Sequence, residues 1–171
     1  MLYFAITNNL TEKEMTTEID LTNLKWTKNV NHPDPTIQWG YQPNEIRYRF
    51  LVPEFNLHWK NEQETNANKA QKGDIILICQ RTKVTHLVKV LDDQSKSVPN
   101  GEYSRYRRVQ VLWIEQKTWD NAPDQDVFGI SHRDGLLRDL NNMEGVTSKF
   151  NPLGGITAFH AQVIQELGLG K

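Results

Sequence analysis

A single cysteine, Cys79, leaves the chain without an intramolecular disulfide and without a thiolate cluster for a metal. That usage favours a reducing compartment. No apolar run approaches the roughly 18 residues that a membrane-spanning helix needs. The start, Met1-Leu2-Tyr3-Phe4-Ala5-Ile6-Thr7, lacks the basic flank and the length of a secretory leader, so a cytoplasmic protein with no membrane contact is expected. There is no G-x-S-x-G elbow and no H-E-x-x-H, and no internal repeat or low-complexity stretch. The tail Gly168-Leu169-Gly170-Lys171 resembles the end of a phosphate loop. It lacks the earlier loop glycine, a following Ser or Thr, and a following helix.

Histidines and carboxylates are equally sparing of pattern. His32, His58, His86, His132 and His160 are never paired at metal-ligand spacing. Asp120, Asp124 and Asp126 lack the alternation and the glycine of a calcium loop. Cys79 ends an apolar run and reads as a small buried hydrophobe. No catalytic residue, metal or cofactor is assigned from these features.

What is present is a chain of one domain's length, 171 residues, able to bury a core without staples. Five tryptophans, five tyrosines and six phenylalanines supply large apolar surfaces. The net charge of −1 hides an asymmetry. Lys25 to Trp113 holds 14 Lys and Arg against nine Asp and Glu, and the acidic excess lies in the flanks. A basic middle suits an anionic ligand, and it also suits an ordinary solvated surface.

Strand signals dominate the first two thirds. Met1–Thr7 reads as a strand, and Thr11-Glu12-Lys13-Glu14 has capping-box spacing for a short helix. Residues 29–44 read as an ordered loop carrying Trp39 and Tyr41. Ile46 to Val52 alternates as one strand with Arg47 and Arg49 on one face. Asn61 to Gln71 fits a helix or a loop. Ile75 to Cys79 is unbroken and apolar, as in a strand buried on both faces. Gln80 to Lys83 is a polar hairpin tip, Val84 to Leu91 the return strand, and Pro99-Asn100-Gly101 a later turn. Arg107 to Ile114 is a third meander strand, with Val109, Val111 and Trp113 on one face. The last third predicts helices: one capped near Ser131 and carrying Leu136, Leu137, Leu140 and Met143, then, after the breaker at 151–155, one capped by Thr157 with Phe159, Val163, Ile164 and Leu167 buried.

Aromatic and basic residues interleave between Lys25 and Lys60. Trp26, Trp39, Tyr41, Tyr48 and Trp59 alternate with Lys25, Lys28, Arg47, Arg49 and Lys60. Rings that stack on bases beside cations that neutralise phosphates are the usual parts of a nucleic-acid site. The same rings also fit a core. Arg81 and Lys83, at the hairpin tip, and His86, in the return strand, complete the candidates.

Lys72-Gly73-Asp74-Ile75-Ile76-Leu77-Ile78, a short tip, then Val84-Thr85-His86-Leu87-Val88-Lys89-Val90 resembles the central hairpin of PUA-like domains, the superfamily of the EVE, YTH and ASCH groups. Arg108 to Ile114 is similar to their strand ending near a tryptophan. Trp39, Asn44 and Arg47 resemble the stretch that EVE-type domains place before the hairpin. The resemblance spans Met1 to about Ile114. It implies an α+β fold, a small mixed β-barrel flanked by short helices, with 115–171 as a C-terminal helical extension of one domain, 1–171. It also implies binding of DNA or RNA, modified or unmodified, with a base in an aromatic pocket, in a bacterial defence or RNA-modification setting. The expected contacts are Trp26, Trp39, Tyr41, Asn44, Arg47, Arg49, Trp59, Arg81, Lys83 and His86. Two alternatives stay open: an ASCH-like hydrolase or ribonuclease using Lys72, Thr85 and His86, and a regulatory domain with a protein partner.

Overall fold

The computed structural model describes residues 18–49 and 52–170. The strand expected at Met1–Thr7 and the capping box at Thr11–Glu14 lie outside the described residues, as do Phe50 and Leu51. Among the described residues the fold is α+β, an eight-stranded mixed sheet with three α-helices. The strands are β1 (Leu24–Asn29), β2 (Arg47–Arg49), β3 (Val52–Trp59), β4 (Ile75–Gln80), β5 (Lys83–Val90), β6 (Lys96–Ser97), β7 (Arg105–Ile114) and β8 (Leu137–Asp139). The helices are α1 (Glu64–Ala67), α2 (Glu144–Phe150) and α3 (Ile156–Leu167). No helix among the described residues is long and apolar enough to cross a membrane.

Strand order is β2-β3-β7-β5-β4-β1-β8, with β6 paired to β7. The expected meander is present: β4 and β5 pair antiparallel, and β5 pairs antiparallel with β7. The central strand β4 takes β1 as a parallel neighbour on its other side. All six residues of β4 are buried because both faces are covered. Ile75, Leu77 and Cys79 enter one apolar cluster with Phe128, Phe150 and Phe159. Ile76 and Ile78 enter a second with Phe55, Trp59 and Val109.

Among the described residues the sheet does not close into the expected barrel. Its β8 edge is instead occupied by a side chain. Asn66 of α1 accepts from Leu137 N at 2.8 Å and donates to Leu137 O at 3.1 Å. It also accepts from Trp59 Nε1 at 3.0 Å, linking β8 to β3. One amide thus imitates a neighbouring strand where the ladder stops.

Several local expectations are corrected. Ile46–Val52 is not one strand, because Arg49 pairs with Val52 and the chain reverses between β2 and β3. Trp113 leaves the face of Val109 and Val111: the register shifts opposite Leu87/Val88, so Trp113 packs on the first cluster while Val109 and Val111 stay in the second. The helix expected after Ser131 is strand β8 followed by a 3-10 turn, with Asp139 capping that turn through Asn141 N. Pairing with β1 overrides the helical spacing there. Helix α3 begins after Gly155, so Thr157 is not its cap, and Ile164 is exposed. The segment after residue 114 is therefore not purely helical, and it shares the main core.

Candidate functional site

Two polar side chains at this core, Arg107 and Trp26, are satisfied locally. Arg107 is fully enclosed, bonded to Asp92 Oδ1 at 2.6 Å and to the carbonyls of Ala67, Ala70 and Asp92 at 2.7–2.8 Å. Trp26 donates from Nε1 to Asp74 Oδ2 at 2.8 Å, and Lys25 reaches the same carboxylate. Trp26 is thereby committed to the start of β4.

Bordering β3 and β7 and reaching the rim of the second core cluster at Tyr41 and Phe55 lies an open cleft of about 1130 Å3. Its floor follows from strand alternation. Glu54, Asn56 and His58 of β3 stand beside Arg108 and Tyr106 of β7, with Asn56 opposite Arg108 and His58 opposite Tyr106. Arg47 and Arg49 of β2 and Asn44 of the preceding 3-10 turn line one side. Lys28, Asn29 and Arg133 line another. Five cations face two carboxylates, Glu45 and Glu54, and Arg108 is bonded to Glu54 at 3.1 Å. Tyr41, Phe55, Tyr103 and Tyr106 supply the rings. Tyr41 and Phe55 stand 4.8 Å apart. The Tyr41 hydroxyl accepts from His58 N at 2.7 Å, and burial raises its pKa.

Lys28 lies at the cleft's inner end, 2% exposed, 4.6 Å above the Trp59 ring. It donates to Gly135 O. Loss of water pushes its pKa down to about 7, against an opposing pull from Asp134.

The expected contact residues divide. Tyr41, Asn44, Arg47 and Arg49 do line the cleft. Trp39 is partly exposed but faces His86 edge-on at 6.2 Å, outside the cleft lining, so the ring wall is Tyr41 and Phe55 instead. Trp59 is fully enclosed, with its one donor taken by Asn66. Arg81 does not reach outward from the hairpin tip. Its guanidinium is bonded to the carbonyls of Ile37, His32 and Asp34, tying down the 30–42 loop. Lys83 pairs with Asp124 at 2.9 Å and lies over Trp119. His86 is fully buried, and burial lowers its pKa to about 3.

The residues that sequence reasoning missed are Phe55, His58, Tyr103, Tyr106, Arg108 and Arg133. A period of two along Glu54-Asn56-His58 and Tyr106-Arg108 was the available signal. It acquires meaning only once β3 and β7 are known to be neighbours. No family model matches the chain, and neither the curated proteins nor the solved structures contain a match to it.

Proposed function

We propose that this chain is a nucleic-acid-binding module of PUA-like type, with a base received against Tyr41 and Phe55 and the strand's phosphates met by Arg47, Arg49 and Arg133. One observation carries the reading: a single cleft lined by four arginines, from β2, β7 and the loop at Arg133, together with four aromatic rings. Base stacking contributes roughly 1–3 kcal/mol per base and tolerates any sequence, while phosphate contacts add a salt-dependent term. The Gly-Asp hairpin β4–β5 beside β7 is the arrangement that the PUA-like resemblance implies.

A hydrolase reading has less support. Thr85 and His86 do share a hydrogen bond at 2.9 Å, but both are fully buried, and an imidazole held near 3 is a poor general base at neutral pH. Lys72 is exposed at the other end of β4.

The test is the affinity of a single-stranded oligonucleotide at two salt concentrations, for wild type and an Arg47→Ala/Arg49→Ala variant. Each lost phosphate contact should lower the log–log salt slope by about one unit. An unchanged slope, or no binding of any DNA or RNA by wild type, rejects the reading.

A further inference from the structure

Behind the cleft wall, one buried network sets the protonation of His86. Gly40 N and Tyr41 N both donate to Gln80 Oε1, the latter at 2.9 Å. Two backbone donors can only be met by the carbonyl end of the Gln80 amide, so its orientation is determined. Gln80 Nε2 then donates to Thr85 Oγ1 at 2.7 Å and lies 3.3 Å from His86 Nδ1. The Thr85 hydroxyl, having accepted that bond, has its proton left for His86 Nδ1 at 2.9 Å. Gln80 Nε2 can only donate, so its approach to Nδ1 favours Nδ1 as the acceptor and assigns the proton of the neutral ring to Nε2. Burial keeps the ring neutral.

That Nε2–H is buried and has no partner among the described residues. A native structure rarely leaves such a donor unmet without a reason. The two rings that approach His86 are Trp39, edge-on at 6.2 Å, and Phe55 at 5.5 Å. Phe55 lines the cleft, and Trp39 is partly exposed on the loop directly before the cleft residues Gly40 and Tyr41. A lone water in this position would meet ring walls where it needs two to four polar partners. A flat heterocycle meets the same walls favourably.

We infer that His86 Nε2–H is a specificity-determining donor for the ligand of this cleft, offered to a carbonyl oxygen or unprotonated ring nitrogen of a base that enters between Phe55 and Trp39. This role presupposes the nucleic-acid reading of the cleft. Because His86 has no exposed surface, Trp39 must turn aside as the base enters. Thr85 and Gln80 are positioning residues: they hold the tautomer and touch no ligand.

Two measurements test it on the full chain. The first is nitrogen-detected NMR of the histidine tautomers in the free protein, which should find His86 protonated at Nε2 in wild type. The second is binding of single-stranded oligonucleotides that carry thymine or adenine at one position, each against an apolar isostere that lacks a strong acceptor, difluorotoluene or methylindole. Wild type should prefer at least one natural base by on the order of tenfold, as one buried hydrogen bond allows. His86→Phe should abolish that preference, so that the natural base and its isostere bind equally. Thr85→Val should reduce it with His86 intact, which separates the donor from mere packing should His86→Phe fold poorly. A proton on Nδ1, or a base preference that survives in both variants, overturns the role of His86 but leaves the nucleic-acid reading standing. Absence of any oligonucleotide binding by wild type overturns both.

Discussion

Lys28 shows how a single residue can work against stability. Its ammonium is buried with a backbone carbonyl and a ring for company and no carboxylate bonded to it. The folded pKa lies near 7 against an ordinary 10.5, so above pH 7 the unfolded chain binds more protons than the folded one. Stability must therefore rise with pH from about 7. The window closes near pH 9, where the unfolded Cys79 thiol begins to ionise while the buried one, pushed up to about 12, does not. Thermal melts at pH 7 and pH 8.5 should show the higher midpoint at pH 8.5. Lys28→Met should remove that difference and raise the midpoint at pH 7. A pH-independent midpoint in wild type would contradict the buried, partner-poor amine.

At the scale of elements, the open sheet edge is guarded by Asn66. Its amide satisfies Leu137 N, Leu137 O and Trp59 Nε1 together. Asn66→Ala would strand two largely buried donors, and a loss of about 2–4 kcal/mol is expected by denaturant titration. Asn66→Asp keeps both accepted bonds and should lose less. Equal losses would show that α1 packing, not edge pairing, is what matters. Elements also explain the misread strand and helix. The alternation through Ile46–Val52 contained no marker of the reversal that pairs Arg49 with Val52. Leu136, Leu137, Leu140 and Met143 carry a helical period, yet β1 offers an edge to which Leu137–Asp139 adds. A free ladder edge outweighs weak helix propensity over so short a run.

Across the whole molecule, β4 and β5 lie at the centre of the sheet and β2 at its margin, with all three β2 residues exposed. Amide exchange should be slowest in β4 and β5 and fastest in β2. Equal protection would mean that the hairpin bearing Arg47 and Arg49 is held by contacts beyond the ladder. The central hairpin was legible in the sequence because its signals are local: an unbroken apolar run, a four-residue polar tip and a return run suffice to specify two paired strands. Tyr41, Asn44, Arg47 and Arg49 could likewise be singled out, since they lie close together in the chain. The rest of the cleft could not. Arg108, Tyr106 and Arg133 come from segments far along the sequence, and only the pairing of β3 with β7 and the crossing of the 130s past β1 bring them to the same hollow. Trp59 and Arg81 looked the same as their exposed neighbours in sequence. Whether a ring or a guanidinium faces water is decided by what packs over it, and that is a property of the folded chain: Asn66 and Lys28 cover Trp59, and three loop carbonyls hold Arg81.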